Sequence, residues 1–331
     1  MTAAREGWPQ SVVDLTQSVT RAEYATLSAA GVPVDTPVAI FPSEGLASFD
    51  LTTGLSYPAK AERARRNPRT SLLFEGRPDE PVVLIQGFAS VRDRDLQANV
   101  LRYLAEVGYT LPLDPTWELA RQAVWYWTRI LVEIRPARVL WWSTPAAMAD
   151  APSRWDAPAG TVYPPSDPAP GGVASKPATW EQPASWRDLA QHALARNTSG
   201  HLSLVDADGF PLTVRAVSIA QEAEGFRLGL PAGLPLSVTG KASLTFNGIE
   251  TFIGAMSAPD FLRVDRTLPI FPMTADTRQL WQPSPHTRDE LMKRLIEETQ
   301  RRGQPIPQIP AERPEPTEGY RLRMARRGIF R

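Results

Sequence analysis

Residues 71–76 read Ser-Leu-Leu-Phe-Glu-Gly, and residues 243–248 read Ser-Leu-Thr-Phe-Asn-Gly. Two further pairs of short segments recur in the same order along the chain: residues 30–33 with 208–211, and residues 85–87 with 252–254. Matching segments in a fixed order indicate an internal repeat, which decides the architecture of a chain. The sequence therefore predicts two copies of one structural unit.

The spacing of apolar residues predicts that the first copy consists mainly of antiparallel β-strands. Short runs of alternating side-chain character are bounded by Gly, Pro and Ser, which is typical of strands joined by turns. Strands are expected at residues 24–28, 37–41, 46–51, 70–74, 82–90 and 125–134, and residues 139–142 close the unit. In the second copy, residues 320–329 are expected to match the strand around residues 127–139.

Three segments have the pattern of helices. Residues 58–66 are rich in Ala and Arg, which predicts a short helix. Residues 93–107 place their apolar side chains at helical spacing. Residues 287–302 begin with a capping box at Thr287 and stop at Gly303. These helices are expected to lie at the periphery of the β-structure.

Proline marks the predicted boundary between the two copies. Nine prolines fall between Pro145 and Pro183, a density typical of an extended, semi-rigid linker. We therefore expect a first domain at residues 1–143, a linker at residues 144–183 and a second, degenerate domain at residues 184–331.

The composition excludes several kinds of site and partner. Lys plus Arg equals Asp plus Glu, 36 of each, so nothing indicates a nucleic-acid or membrane-surface partner. The chain has no Cys, which rules out disulfides and thiolate sites. Its first residues lack the pattern of a signal peptide, and no run is apolar enough for a membrane span. We therefore expect a cytoplasmic protein.

The most informative chemistry lies in residues 51–63, which read Leu-Thr-Thr-Gly-Leu-Ser-Tyr-Pro-Ala-Lys-Ala-Glu-Arg. Two hydroxyls and a Gly turn precede a helix start, where free backbone N–H groups favour an anion. Lys60 adds a point charge and Arg63 a bidentate fork. This phosphate segment suits one phosphate group, and a solvated basic helix is the alternative interpretation. The second copy is shorter here and lacks most of the basic residues.

The phosphate segment and its surroundings resemble the pyridoxamine 5′-phosphate oxidase-like family of flavin and deazaflavin split β-barrels. The resemblance is carried by residues 24–28, 36–41, 52–53, 60–70, 86–91 and 129–139, with Trp141 or Trp142 after them. It covers about residues 20–142 well and residues 198–331 in outline. It implies a mainly β fold with peripheral helices, in which two fused FMN-binding split β-barrels form an intrachain pseudo-dimer.

The same resemblance implies a cofactor site on the first barrel. Lys60 and Thr52 or Thr53 would hold the cofactor phosphate, and residues 37–39 would lie along its ring system. The cofactor-binding residues that it implies are Pro37, Val38, Ala39, Thr52, Thr53, Ser56, Lys60, Arg63 and Gln86. It assigns no catalytic side chain, because the hydride chemistry belongs to the cofactor. The expected function is that of an FMN-dependent oxidoreductase with one site per chain, acting on an unknown small molecule.

Several alternatives stay open at this point. The deazaflavin F420 also brings a phosphate and a tricyclic ring, so an F420-dependent reductase is one of them. A haem-binding split barrel would need a histidine, for which His201 is the main candidate. Ala39 stands where the family commonly has a bulky aromatic residue, which leaves room for a non-catalytic flavin-binding or structural module. Trp281 is a candidate wall residue from the second copy. Both a monomer and a homodimer are compatible with an internal pair of barrels.

Overall fold

The computed structural model describes residues 7–107, 116–173, 185–196, 198–236, 238–269 and 282–326. Two seven-stranded antiparallel sheets dominate this part of the chain. None of its helices is long and apolar enough to cross a membrane. The candidate wall residue Trp281 lies outside the described residues.

The first sheet closes into a barrel. Its strands are β1 (Arg21–Leu27), β2 (Pro33–Pro42), β3 (Phe49–Gly54), β4 (Arg69–Glu75), β5 (Val82–Arg92), β6 (Arg129–Trp142) and β7 (Ser153–Asp156). They lie in the order β3-β2-β1-β4-β5-β6-β7, and β3 also pairs with β6. The helices of this half are α1 (Gln10–Ser18), α2 (Ala59–Arg66), α3 (Leu96–Val107), α4 (Trp117–Ala120) and α5 (Val124–Trp127).

The second sheet follows helix α6 (Trp186–Ala195). Its strands are β8 (Gly200–Val205), β9 (Pro211–Arg215), β10 (Ser218–Gln221), β11 (Gly225–Gly229), β12 (Gly240–Phe246), β13 (Glu250–Ala258) and β14 (Phe261–Thr267). They lie in the order β10-β11-β14-β13-β12-β8-β9. Helices α7 (Pro285–Arg301) and α8 (Glu318–Arg326) come after this sheet. We call the two sheets with their interiors the first and the second barrel.

The repeat predicted from the sequence is present in the structure. The run β2-β1-β4-β5-β6 of the first barrel has the same neighbours as β9-β8-β12-β13-β14 of the second. Gly87 in β5 and Gly254 in β13 each stand at a shift of register with the next strand. A Cβ atom would lie 2.4 Å from the Arg135 carbonyl oxygen at Gly87, and 1.8 Å from that of Arg263 at Gly254. Both barrels therefore bend at the same place, where two backbones approach closely.

The two barrels pack against each other with pseudo-two-fold symmetry. Strand β2 packs against β8 and β12, while its counterpart β9 packs against β1 and β4. In a two-fold interface, each element contacts the counterpart of the element that its own counterpart contacts, and these strands follow that rule. The predicted fold class, mainly β with two split barrels that form an intrachain pseudo-dimer, is confirmed.

The predicted strand at residues 125–134 is partly wrong, because Val124–Trp127 forms α5 and β6 begins only at Arg129. The indole N–H of Trp127 donates to the Ala120 carbonyl at 2.7 Å, and this side chain is fully buried. A helical turn lets the indole reach back over α4, which an extended strand at this point would not. Alternation of large aromatic residues was therefore a misleading strand signal here.

The predicted strand at residues 320–329 is also wrong, since Glu318–Arg326 forms α8. Tyr320 and Met324 are both buried, and a spacing of four residues puts two side chains on one face of a helix. The counterpart of β6 is instead β14, which pairs with β13 as β6 pairs with β5.

Helix α7 lies against the first barrel, although it follows the second barrel in sequence. Leu291 and Leu295 are buried within the core of the first barrel. The N-cap of α7 is Ser284, whose Oγ accepts a hydrogen bond from the Thr287 N–H at 3.2 Å, so the predicted cap at Thr287 is three residues late. Gly303 follows the helix with a φ of 62°, the left-handed conformation that favours Gly at a helix end.

The stretch predicted as a linker contributes to the first barrel. Strand β7 pairs with β6 at the edge of the sheet. Residues 157–173 have neither helix nor strand, but the Asp167 carboxylate accepts a hydrogen bond from the Asp93 N–H at 2.9 Å. The domain boundaries after residues 143 and 183 stay predictions.

Replacing Gly254 by Ala is expected to lower the free energy of unfolding by about 2 kcal/mol or more. The new methyl group would meet a backbone carbonyl, and crowding of this kind costs about 1–3 kcal/mol. Urea denaturation checks this, with Gly45→Ala as the control, because a Cβ at Gly45 meets nothing within 4 Å. Equal losses in both variants would contradict the close approach at the bulge.

Candidate cofactor site

The phosphate segment folds as the end of β3, a turn and helix α2, as the sequence predicts. Gly54 ends β3, and a Cβ atom there would lie 2.6 Å from the ring of Tyr57. The turn therefore needs Gly at this position. Helix α2 then begins at Ala59 and buries Ala61 and Ala64 against the core of the first barrel. This packing turns the opposite face of the helix, with its basic residues, away from the core.

Buried ion pairs hold α2 in place. The Asp93 carboxylate accepts hydrogen bonds from Arg65 at 2.7 Å and from Arg302 at 3.0 Å. The side chains of Asp93 and Arg302 are only 3% and 2% exposed, so water screens this interaction little. Because Arg302 directly follows α7, the position of α2 depends on the chain after the second barrel.

Lys60 and Arg63 lie on α2, one turn apart. The Lys60 side chain is half-buried and has no hydrogen-bond or ion-pair partner in the described part of the chain. Burial, together with the nearby charges of Arg63 and Arg129, lowers the pKa of Lys60 to about 8, and the charges of Asp35 and Glu23 oppose this effect. Arg63 donates to the Thr26 hydroxyl at 2.7 Å, and burial lowers its pKa to about 10. The predicted pair of cations is thus present and largely desolvated.

Arg129 is a third cation of this site, which sequence reasoning did not single out. It is 7% exposed, and its guanidinium lies 4.4 Å from the ring centre of Tyr103 and 4.2 Å from that of Tyr126. In the sheet it pairs with Gly54, beside Thr53. The Arg129 Nε and the Thr53 hydroxyl are both buried without a hydrogen-bond partner among the described residues. Two donors at the end of β3 are therefore unused.

Ser56 is not free to bind a cofactor in this structure. Its hydroxyl is fully buried and donates to the Leu291 carbonyl at 3.1 Å. Arg294 donates to the Ser56 carbonyl, also at 3.1 Å. Helix α7 therefore takes up both polar groups of this residue.

Gln86 lies at the contact between the two barrels. Its amide nitrogen donates to the Asp206 carboxylate at 2.8 Å and to the Pro211 carbonyl at 3.1 Å. Its amide oxygen accepts a hydrogen bond from Arg138 at 3.2 Å. All of these groups belong to the inter-barrel contact, so the structure does not bring Gln86 to the cations of α2 as a free side chain.

The residues expected along a cofactor ring differ in their surroundings. Val38 is buried in the core of the first barrel, and Ala39 packs half-buried against that core. Pro37 faces the second barrel, where a Cβ at Gly248 would lie 2.3 Å from the proline ring. Thr52, on β3, is half-buried.

His201, the candidate haem ligand, is buried at the interface between the barrels. Its Nε2 lies 2.8 Å from a Glu75 carboxylate oxygen, and Arg215 donates to the same oxygen at 3.1 Å. Burial raises the pKa of the Glu75 carboxyl, but the hydrogen bonds from His201 and Arg215 outweigh this effect and hold it below its ordinary value. One imidazole nitrogen is therefore already used within the protein.

Glu23 and Asp35 are two further candidate functional residues, which the sequence analysis did not identify. Both are buried, and burial together with the Glu23 charge raises the pKa of Asp35 well above its ordinary value. A charged residue within a predicted strand run, such as Glu23 next to Tyr24 and Ala25, is the signal that could have found them. Buried carboxylates with shifted pKa values are often found at functional sites.

No family model and no curated protein matches this chain. Similar solved structures include General Stress Protein 26 from Bacillus anthracis, at 13% identity and a TM-score of 0.32, covering 45% of this chain and 97% of that chain. A pyridoxamine 5′-phosphate oxidase-related, FMN-binding protein from Nostoc punctiforme is 14% identical, with a TM-score of 0.32, and covers 43% of this chain and 84% of that chain. An F420 reductase is 14% identical, with a TM-score of 0.30, and covers 39% and 94%.

At these identities and TM-scores the similar structures say nothing about activity. The two sheets and their pseudo-symmetric packing define the class of protein, which is a tandem split β-barrel. The resemblance found in the sequence is confirmed at this level, that of the fold.

Replacing Asp93 by Asn is expected to lower the free energy of unfolding by about 3 kcal/mol. The change leaves Arg65 and Arg302 buried without their carboxylate, and breaking a buried ion pair typically costs about 3–5 kcal/mol. Chemical denaturation checks this, with Asp79→Asn as the control. The side chain of Asp79 is 83% exposed, so its loss should change stability by less than about 0.5 kcal/mol. A stable Asp93→Asn variant would show that α2 is held by its apolar face alone.

Proposed function

We propose that this chain binds a phosphate-bearing flavin on its first barrel and works as an oxidoreductase on a small molecule. FMN is the proposed cofactor, with F420 as the alternative. The observation that carries the proposal is the Lys60 ammonium, which is half-buried and unpaired within the described residues, close to the buried guanidinium of Arg129.

An unpaired, desolvated cation is costly unless an anion compensates for it. The unused groups at this place are the Lys60 ammonium and the Arg129 Nε–H, and both can donate hydrogen bonds. The Thr53 hydroxyl is also unused, but the pairing of Thr53 with Ile130 puts it on the face of the sheet opposite to Arg129. A phosphate is an acceptor with several oxygens, and charged donors bind it most strongly. The residues present therefore fit the phosphate of a flavin-type cofactor.

Each side chain has a distinct part in the proposed site. Lys60 and Arg129 hold the phosphate, while Arg63 raises the local positive potential from α2. Ala39 offers a half-buried apolar surface for the ring system, with Val38 in the core behind it. The bound cofactor would supply hydride transfer, and the protein its placement. Ser56 and Gln86, which other contacts engage, support the fold around this site rather than the cofactor.

A non-catalytic flavin-binding module is the second candidate. Helix α7 covers the turn at Ser56, which restricts access to the phosphate segment from that side. A module that only carries the cofactor needs no open path for a substrate. Reduction of the bound cofactor by a nicotinamide donor, followed by its reoxidation, would distinguish the enzyme from the carrier.

Replacing Lys60 by Gln is expected to weaken FMN binding by about 10- to 100-fold, because a hydrogen bond to a charged group contributes about 1.5–3 kcal/mol. Riboflavin, which has no phosphate, should bind the two proteins equally. Fluorescence titration of the protein freed of cofactor measures both affinities. Lys293→Gln is the matched control, since Lys293 lies exposed on α7.

Two results would contradict the proposal. One is a protein that is colourless as purified and takes up neither FMN nor F420 when they are added. The other is a Lys60→Gln variant that discriminates FMN from riboflavin as well as the wild type does, which would place the phosphate elsewhere.

We expect one cofactor per chain. The first barrel has the basic helix α2 between β3 and β4. Residues 230–236 and 238–239, between β11 and β12, contain no helix and no Arg or Lys. Titration of the chain with FMN at a concentration far above its dissociation constant gives the stoichiometry. Saturation at two equivalents would mean that the second barrel also holds a phosphate.

A further inference from the structure

The interface between the barrels brings together three side chains that commonly bind metal ions. Glu23 lies on β1, Asp35 on β2 and His201 on β8. One carboxylate oxygen of each acid and one ring nitrogen of His201 lie within 4.8 Å of one another. The three residues are 7%, 0% and 5% exposed. Two carboxylates and an imidazole are thus placed around one point, away from bulk water.

These side chains have polar atoms that nothing else in the described part of the chain satisfies. Both carboxylate oxygens of Asp35, the Oε2 of Glu23 and the Nδ1 of His201 are buried and lack a hydrogen-bond partner. The Oε1 of Glu23 lies 3.6 Å from Arg21, and the Glu23 and Asp35 carboxyl groups are close enough to interact directly. Buried polar atoms are nearly always paired in folded proteins, so an unpaired group commonly indicates a missing ion or ligand.

The contacts of His201 leave its Nδ1 available to bind a metal ion. Its Nε2 lies 2.8 Å from Glu75, which Arg215 also contacts. When a carboxylate accepts the N–H of one ring nitrogen, the other nitrogen keeps its lone pair, and metal-binding histidines usually have such a partner. The unpaired nitrogen of His201 is the one that this arrangement leaves free.

The cluster also has a route of entry. A pocket of about 480 Å³ lies at the interface and is lined by both Glu23 and His201, together with Arg21, Glu75, Arg215 and Asn247. An ion could reach the cluster through this pocket, and water could complete its coordination from the same side. A site with three protein ligands and an open position is typical of a reactive metal centre.

We propose that Glu23, Asp35 and His201 bind one divalent transition-metal ion between the two barrels. Ligand atoms around an ion at about 2.0–2.2 Å lie about 3–3.5 Å apart, so the side chains need to close in only slightly. The imidazole nitrogen favours Zn²⁺ or Fe²⁺ over Mg²⁺ and Ca²⁺, which prefer oxygen ligands. Because the ligands come from both barrels, the ion also ties the two halves together. This proposal does not rest on the proposed function, although Asp35 and Glu23 lie close enough to Lys60 for their charges to interact.

Zn²⁺ titration of the full chain, after treatment with a chelator and without flavin, tests the proposal. Calorimetry should show one Zn²⁺ per chain, and the melting temperature should rise with Zn²⁺ concentration, because a ligand that binds only the folded state stabilises it. Mg²⁺ at the same concentration should have no such effect. Co²⁺ in place of Zn²⁺ should give visible absorption bands from a bound nitrogen and oxygen donor set.

Two variants and one control make the test specific. His201→Gln and Asp35→Asn should each weaken Zn²⁺ binding by more than about 100-fold, since even the partners of metal ligands often contribute 10- to 100-fold. His192→Gln should bind as the wild type does, because His192 lies on α6 with a side chain 68% exposed. The Co²⁺ bands should disappear in His201→Gln and persist in His192→Gln.

The competing explanation is that Glu23 and Asp35 share a proton and no metal binds. In that case the wild type takes up no stoichiometric Zn²⁺. This result overturns the proposal, and so does Zn²⁺ binding of equal strength in the wild type, His201→Gln and Asp35→Asn.

Discussion

The packing of β2 and β9 across the pseudo-two-fold interface is the constraint on which the rest of this structure depends. Strand β2 contacts two strands of the opposite barrel and β9 contacts three, so a face of each sheet is removed from water. Polar groups on those faces must then find partners within the protein. Gln86 does so with Asp206 and Arg138, whereas Asp35 does not.

The chain after the second barrel completes the first one. Helix α7 inserts Leu291 and Leu295 into the first core, and Arg302 joins Arg65 on the buried carboxylate of Asp93. The first barrel therefore depends on residues more than two hundred positions away in the sequence. The two halves are interlocked, and the helix that carries Lys60 is held from both of them.

Local signals made part of this architecture predictable. The repeated glycines Gly87 and Gly254 mark a bulge that only a residue without a side chain permits, and the Ala- and Arg-rich residues 58–66 form α2 as expected. Trp125 and Trp127 were misassigned to a strand because aromatic alternation also fits a short helical turn that is fixed by tertiary packing. In such segments long-range contacts override local propensity.

Only the part of the candidate site that lies within one continuous segment was predictable from the sequence. Lys60, Arg63 and Thr53 belong to one continuous segment, so their proximity follows from its turn. Arg129 reaches them through the pairing of β3 with β6, which a single sequence does not reveal. His201 meets Glu23 and Asp35 only because two separate barrels pack together, and neither strand pattern carries information about that contact.

The inter-barrel cluster contains residues from equivalent positions of the two barrels. Glu23 pairs with Leu73 on β4, and His201 pairs with Thr245, the matching residue on β12, so Glu23 and His201 occupy the same place in the two copies. In a dimer of identical chains, an acid near the axis would meet its own duplicate, and the two like charges would repel. Covalent fusion removes that restriction, because each half can mutate alone. A base can then stand opposite an acid, which makes this axis a place where new chemistry can evolve.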